Sequence, residues 1–403
     1  MIHRLSRRMS RRLGRYAWSI ACFTAALACG TARADPLTVQ SRTMAWRAAP
    51  SAEAPPYAGG WAKGSIKMPF VVAARAPQVA ARINEALFLD LLNLPAPAAP
   101  GPRFEVASDS GPEGTAELDF KVSRNDARVL AIAADAEGCG AYCETYRREL
   151  SFDARTGRAL AIDDLLNARG LDVARQRMLA ERQRRYAEQI RTLKQERQAL
   201  LAKRATAKGA GAKDEFDDLE ARISLNEGCL SEARAPSSEA SEARFLRLAL
   251  PAGEGLVLTA SRCSNHASRA LDDVDEVSAT LTRAELAPLL TPYGQALLLD
   301  QGDAPAPAAA SIFGQVLHGR IGNAAVTWRL ERPYAKGAFS GFYYYDKHRK
   351  PIPLSGQQAG TTLTITERLS DSEAATITLT RRGERLAGQW QGKGRTLPVD
   401  LGP

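Results

Sequence analysis

The chain has 403 residues, with 54 lysine and arginine residues against 45 aspartate and glutamate residues and a formal net charge of +9. Seven of the arginines lie in residues 1–34, which contain no acidic residue. The remainder is nearly neutral, so the basic isoelectric point gives no support for nucleic acid as a partner.

Residues 1–34 predict a cleavable export signal. Arginines precede an apolar stretch over residues 17–30, and the small residues Ala32 and Ala34 define a cleavage site after Ala34. The stretch is shorter than the roughly 20 apolar residues of a membrane-spanning helix. Residues 10–13 resemble a twin-arginine signal and residues 27–30 a lipoprotein box, but the site after Ala34 fits better. We therefore expect a periplasmic or secreted protein without a transmembrane segment.

Four cysteines remain after cleavage: Cys139, Cys143, Cys229 and Cys263. An even number in an oxidising compartment favours two disulfides, for which three pairings exist. We favour Cys139–Cys143 with Cys229–Cys263, because each pair joins segments that we expect to lie close together. A zinc site would need four converging ligands, and the Cys-x-x-x-Cys spacing with a distant His266 fits poorly. We predict no metal and no cofactor.

Residues 35–300 predict an α+β domain with an antiparallel sheet. Residues 65–73 read as a strand, and Pro77 begins a helix at a position where proline is tolerated. Residues 116–122 alternate apolar and charged side chains, which is typical of a half-buried strand. Strands at residues 129–133 and 146–152 follow after short connections, which favour antiparallel pairing.

Residues 171–230 predict an inserted helical hairpin of coiled-coil character. Leu179, Tyr186, Leu193 and Leu200 recur every seven residues, and a glycine-containing break follows at residues 208–211. The first arm is basic and the second is acidic, so the two arms complement each other when they fold back. Beyond the hairpin, residues 245–250 and 255–261 predict strands, and Thr282 with Glu285 forms a capping box.

Residues 301–311 are rich in proline and alanine and predict a linker. Residues 312–403 then alternate threonine with leucine or isoleucine and contain regularly spaced glycines. This pattern predicts a small antiparallel β domain, a meander that closes into a barrel or half-barrel.

Several short motifs resemble the ectodomain of RsiV-type anti-sigma factors, which also occurs beside peptidoglycan deacetylase domains. They lie at residues 77–88, 140–142, 150–153, 156–157, 162–166 and 281–293. The resemblance covers most of residues 60–300 and implies a binding and sensing module at the cell wall; lysozyme is a ligand of one branch. Relatives have histidine where this chain has Tyr142, so no role of that histidine carries over. Residues 341–345 and 388–390 are similar to a β-module of exported bacterial proteins.

The chemistry that the sequence offers is sparse. It contains no nucleophile elbow, no zinc-protease motif and no phosphate-binding loop. Asp163 and Asp164 read as helix caps, and residues 272–276 as a solvated acidic turn rather than a calcium loop.

The ligand-binding candidates are Tyr142 at the tip of the Cys139–Cys143 loop, and Tyr343, Tyr345 and Trp390 at the mouth of the β domain. A core role for the aromatic run is the competing interpretation. We predict a non-enzymatic envelope protein that binds a cell-wall component or a secreted protein. A hydrolase of envelope polysaccharide or peptide without a recognisable motif, and a structural spacer, are the alternatives.

Overall fold

The computed structural model describes residues 36–47, 66–98, 101–107, 115–139, 143–204, 211–235, 243, 245–253, 255–303, 305–308, 310–333, 337–368 and 374–403. The predicted export signal and its cleavage site lie outside the described residues. Within these ranges, no helix combines the length and the apolar character that crossing a membrane requires. The chain forms a mixed α+β region followed by a closed β-barrel.

A six-stranded sheet organises the first region. Its strands are β1 Thr38–Arg47, β2 Ile66–Val72, β3 Arg103–Ala107, β4 Thr115–Asn125, β5 Val129–Cys139 and β6 Cys143–Asp153. Their order is β3-β1-β2-β4-β5-β6. The pairs β4–β5 and β5–β6 are antiparallel, as their short connections predicted, whereas β1–β3 and β2–β4 are parallel. Strands β1 and β3 were not predicted from the sequence.

Helix α1, Pro77–Leu92, covers one face of this sheet. Proline stands at its start, where no intrahelical N–H is needed, and Asn93 ends it in the left-handed conformation with φ 52°. Ile83, Leu87 and Phe88 are fully buried in the same apolar cluster as the sheet residues Leu118 and Ile132. The apolar stripe of α1 therefore covers one face of the sheet, while on the other face Val129 and Ala131 of β5 are buried in a separate apolar cluster.

The predicted helical hairpin is present as α3 Ala168–Arg204 and α4 Gly211–Arg234, after the short helix α2 Ile162–Leu165. At about 1.5 Å per residue, the 37 residues of α3 extend over roughly 55 Å. Its base packs into a core with a small sheet, while the outer part has a separate cluster of Leu193, Leu200, Leu219 and Ile223. Lys194 pairs with Glu227 at 2.6 Å and Arg197 with Glu220 at 3.1 Å, so the basic arm contacts the acidic arm.

The small sheet joins the hairpin to the end of the α+β region. Its strands are β7 Arg247–Ala249, β8 Leu256–Ala260 and β9 Val277–Leu281, and a 3-10 turn lies at His266–Leu271. Helix α5 Arg283–Leu286, a 3-10 turn Ala287–Leu289 and helix α6 Pro292–Leu298 follow. The capping box of Thr282 and Glu285 is formed, with the Thr282 N–H donating to Glu285 at 2.9 Å.

Eight antiparallel strands close the second region into a barrel. They are β10 Val316–Ile321, β11 Ala324–Leu330, β12 Ala338–Tyr345, β13 Ile352–Ala359, β14 Thr362–Arg368, β15 Ala374–Arg382, β16 Arg385–Gly392 and β17 Arg395–Gly402. Each strand pairs with the next, and β17 pairs back to β10. A Cβ on Gly388 would lie 1.9 Å from the Thr378 carbonyl, so this approach of neighbouring strands requires glycine.

The end of the predicted linker is packed onto the barrel. Ile312 and Phe313 are buried in the barrel core, and the rings of Phe313 and Phe339 lie 5.4 Å apart. Arg158 of the α+β region donates to the Ser311 carbonyl at 2.9 Å and pairs with Glu384 of the barrel. Arg329 of β11 pairs with Asp90 of α1 at 3.0 Å. The two regions are therefore joined by buried contacts as well as by the chain.

Candidate functional site

The structure contains the Cys229–Cys263 disulfide, with the two Cα atoms 5.8 Å apart. Cys143 is also disulfide-bonded, and its Cα lies opposite that of Cys139 at the end of the β5–β6 hairpin. The Cys139 side chain and residues 140–142 lie outside the described residues. The candidate Tyr142 therefore has no described position.

The other three ligand-binding candidates lie inside one end of the barrel. Tyr343 is fully buried with its ring stacked on Trp328 at 5.0 Å, and Tyr345 meets it edge-on at 5.5 Å. Trp390 is 8% exposed and donates from Nε1 to Glu367 at 2.6 Å. Burial raises the pKa of the Tyr343 hydroxyl, and its bond to Tyr345 acts in the same direction. Tyr343 and Trp390 are thus buried beside the carboxylate of Glu367, whereas Tyr345 is partly buried against the same core.

The sequence did not lead us to Glu367, the buried carboxylate inside the barrel. It continues the inward positions Leu363 and Ile365 of β14, and it is 4% exposed. An acidic residue in the inward register of an amphipathic strand was the available signal. The aromatic run alternates between two faces: Tyr343 lies in the barrel core with Tyr345 packed against it, whereas Phe342 and Tyr344 pack against the α+β region.

The largest cavity described is a groove on the open face of the six-stranded sheet, with a volume of about 640 Å³. We call it the sheet groove. Its lining residues are Lys67, Glu117, Leu118, Asp119, Asp135, Ala136, Glu137, Glu144, Thr145, Tyr146, Arg147, Arg262, Arg269, Asp275 and Glu276. Seven carboxylates and four cationic groups line it, so its charge is negative. The strand period places Glu117, Asp119, Asp135 and Glu137 opposite the face that α1 covers, whereas Glu144 stands in register with Gly138 near the start of β6.

Like charges stand directly opposite each other in this groove. Glu117 of β4 is the register partner of Glu137 of β5, and Asp119 is the partner of Asp135. Such pairs destabilise a sheet relative to opposite charges. Lys67 forms an ion pair with Asp119 at 2.6 Å, and Arg147 forms one with Asp135 at 3.0 Å; both reduce the repulsion between the two aspartates. In the described part of the chain, Glu117 and Glu137 have no ion pair.

The second wall of the sheet groove comes from the loop after β8. Arg262 and Arg269 both reach Oε1 of Glu144, Arg269 at 2.7 Å. Asp272 organises this loop, because its carboxylate accepts from the N–H groups of Ser264, Val274 and Asp275 at 3.1–3.2 Å. Residues 272–276 form a turn, but the expectation that it is solvated is wrong for Asp272, which is 8% exposed and satisfies backbone donors; Asp273 pairs with Arg222.

Asp119 of the groove does not have the pKa shift of a general acid. The hydrogen bond from Lys67 and the Phe120 N–H lower the pKa of the Asp119 carboxyl, whereas a general acid requires a raised pKa. A carboxyl with a raised pKa does exist at Asp164, where burial is the main cause. However, Asp164 accepts from the Ala161 N–H at the start of α2, which is the capping role that the sequence indicated.

Metal chemistry finds no support in the described residues, where no group of three or more His, Cys, Asp or Glu side chains is arranged to hold an ion. The arrangement in the groove instead offers carboxylate oxygens to cationic groups. Neither a protein-family model nor a curated protein sequence matches this chain.

Proposed function

We propose that this is an exported, non-enzymatic binding module of the bacterial envelope, and that its sheet groove binds a cationic segment of a secreted protein. The observation that carries the proposal is the pair Glu117 and Glu137, which face each other on neighbouring strands without a cationic partner among the described residues. A sheet face that served stability alone would gain from opposite charges at these positions.

The uncompensated charge of the groove lies at Glu117 and Glu137. Glu144 and Glu276, on the side of the loop after β8, are already paired with arginines, and Tyr146 adds an aromatic surface. Charged groups arranged in this way raise the association rate of an oppositely charged partner and align it. A cleft built from fixed strands also gives a preorganised surface.

The compartment is part of the proposal. The arginine-rich, apolar and small-residue pattern of residues 1–34 supports export, and the Cys229–Cys263 disulfide is compatible with an oxidising environment. The resemblance to RsiV-type ectodomains supports a sensing role at the cell wall. N-terminal sequencing of the protein from the envelope fraction should begin at Asp35; a chain that begins at Met1 with reduced thiols contradicts export.

Binding is tested with the full chain, purified from the envelope fraction. The probes are lysozyme, as a basic secreted protein, and purified peptidoglycan, as the competing class of ligand. The variant Glu117→Gln with Glu137→Gln should weaken lysozyme binding about tenfold at low salt, because two carboxylates of the groove are lost. Added salt should weaken the wild-type interaction as well.

The matched control is Glu215→Gln with Asp217→Asn, which removes the same charge from exposed positions of α4. It should leave binding unchanged. Equal losses in both variants would show attraction to net charge instead of a groove. Binding to peptidoglycan alone, unaffected by either variant, would replace the protein partner with a cell-wall component.

A further inference from the structure

Glu144 already binds two guanidinium groups. Arg262 and Arg269, from the loop after β8, both reach the same carboxylate oxygen, and the side chain of Glu144 is 19% exposed at the groove wall. At Glu144 the groove therefore accommodates planar guanidinium groups, whose several N–H donors match carboxylate oxygens, whereas at Asp119 it holds the ammonium group of Lys67.

Arg262 is fixed by its chain neighbour. It immediately precedes Cys263, which is linked to Cys229 of α4, a residue only 2% exposed. The disulfide thus anchors the beginning of the loop to the base of the helical hairpin. Glu144 in turn follows Cys143, which is disulfide-bonded at the tip of the β5–β6 hairpin. The Arg262–Glu144 contact spans two covalently restrained points.

Arg269 is held differently. It lies in the 3-10 turn His266–Leu271, which Asn265 caps by accepting from the Ser268 N–H at 2.9 Å. Asn226 of α4 donates to the Leu271 carbonyl at 3.4 Å at the other end of the turn. Loss of the disulfide is therefore expected to release Arg262 more than Arg269.

We propose that Arg262 occupies, as an internal cation, the position at Glu144 that an arginine side chain of the partner takes, and that the Cys229–Cys263 disulfide holds it there. This rests on the proposed function of the sheet groove. It identifies the ligand group as guanidinium and makes Arg262 a competitor of the ligand. Arg262 thus lowers the affinity of the sheet groove for its ligand and contributes nothing favourable to the complex.

The consequence is opposite to that of a structural residue. Removing Arg262 takes one of the two guanidinium groups from Glu144, which keeps its pair with Arg269, and makes the groove more negative. An arginine-rich peptide should therefore bind about threefold tighter to Arg262→Ala, the size expected for one partly exposed ion pair. Arg262→Lys keeps the internal cation and should bind like the wild type. Arg385→Ala, which removes an exposed arginine paired with Asp400 on the barrel, is the control and should also bind like the wild type.

The disulfide is tested by Cys229→Ser with Cys263→Ser. We expect faster amide hydrogen exchange over residues 261–264 and tighter peptide binding, with no further gain when Arg262→Ala is added. If this double variant does not fold, peptide binding by Arg262→Ala alone tests the inference. Weaker or unchanged binding by a folded Arg262→Ala overturns the inference and leaves the proposed function standing. Failure of every form, the wild type included, to bind the peptide overturns the proposed function and the inference with it.

Discussion

The six-stranded sheet leaves one face open at the groove, whereas the barrel closes on itself and has no unpaired strand edge. In the sheet, carboxylates oppose carboxylates on the open face. In the barrel, the inward carboxylate Glu367 is buried and accepts from Trp390. The same alternating strand pattern thus produces a charged surface in one region and a packed interior in the other. This difference is the reason why the proposed interaction surface is placed on the sheet and not on the barrel.

The largest effect is expected in the barrel core. Leu379 is fully buried among apolar side chains, so Leu379→Ala should lower the free energy of unfolding by about 3 kcal/mol through lost burial and a cavity. Urea unfolding followed by tryptophan fluorescence measures this loss. Leu201→Ala, at a position that is 47% exposed, is the control and should change it by less than about 0.5 kcal/mol. Similar small losses in both variants would contradict a packed barrel.

A smaller, pH-dependent effect is expected where the two regions meet. His318 of β10 lies 3.1 Å from Glu85 of α1, which also accepts from the Tyr344 hydroxyl at 2.7 Å. The bond to Glu85 raises the pKa of His318 above 6.5. Burial by itself raises the pKa of Glu85, but the hydrogen bonds from His318 and Tyr344 outweigh it and lower that pKa below 4.5.

The two pKa shifts determine how the stability of this contact changes with pH. The stabilisation that His318 contributes is complete below pH 6.5 and is lost as the pH rises through its raised pKa. The stabilisation that Glu85 contributes is lost as the pH falls through its lowered pKa. His318→Gln should therefore cost about 0.5 kcal/mol near pH 5.5, since the site is half exposed and screened, and nothing near pH 9. Arg82, Asp346 and Arg349 also face this pair and are unchanged by the variant. Unfolding curves at both pH values test it; an equal cost at both contradicts a titrating contact.

The third effect is of similar size and has the opposite sign. Glu137→Lys places a cation opposite Glu117 and should raise the free energy of unfolding by about 0.5 kcal/mol while weakening the binding of a cationic ligand. Glu117→Lys should do the same. Combining them restores a like-charge pair and should cancel the gain, which a double-mutant cycle by thermal unfolding would detect. Additive stabilisation would show that the two side chains do not interact.

Much of the architecture was predictable because it depends on local periodicity. The heptad spacing of Tyr186 and Leu193 predicted the hairpin, and the threonine alternation of β14 and β15 predicted the β domain. The Cys229–Cys263 pair was favoured because its segments were expected to be neighbours. Strands β1 and β3 were missed, since they pair with partners far along the chain or in parallel.

The sequence by itself determined most of the element types, though not strands β1 and β3, together with the buried stripe of α1 and the alternating carboxylates on β4. Only the tertiary structure decided that Glu117 meets Glu137, that Arg262 reaches Glu144, and that Tyr343 lies in the barrel core. The reason is physical. Periodicity along one chain segment fixes which face a side chain takes, but the register between strands and the packing of distant loops fix which other side chain it meets.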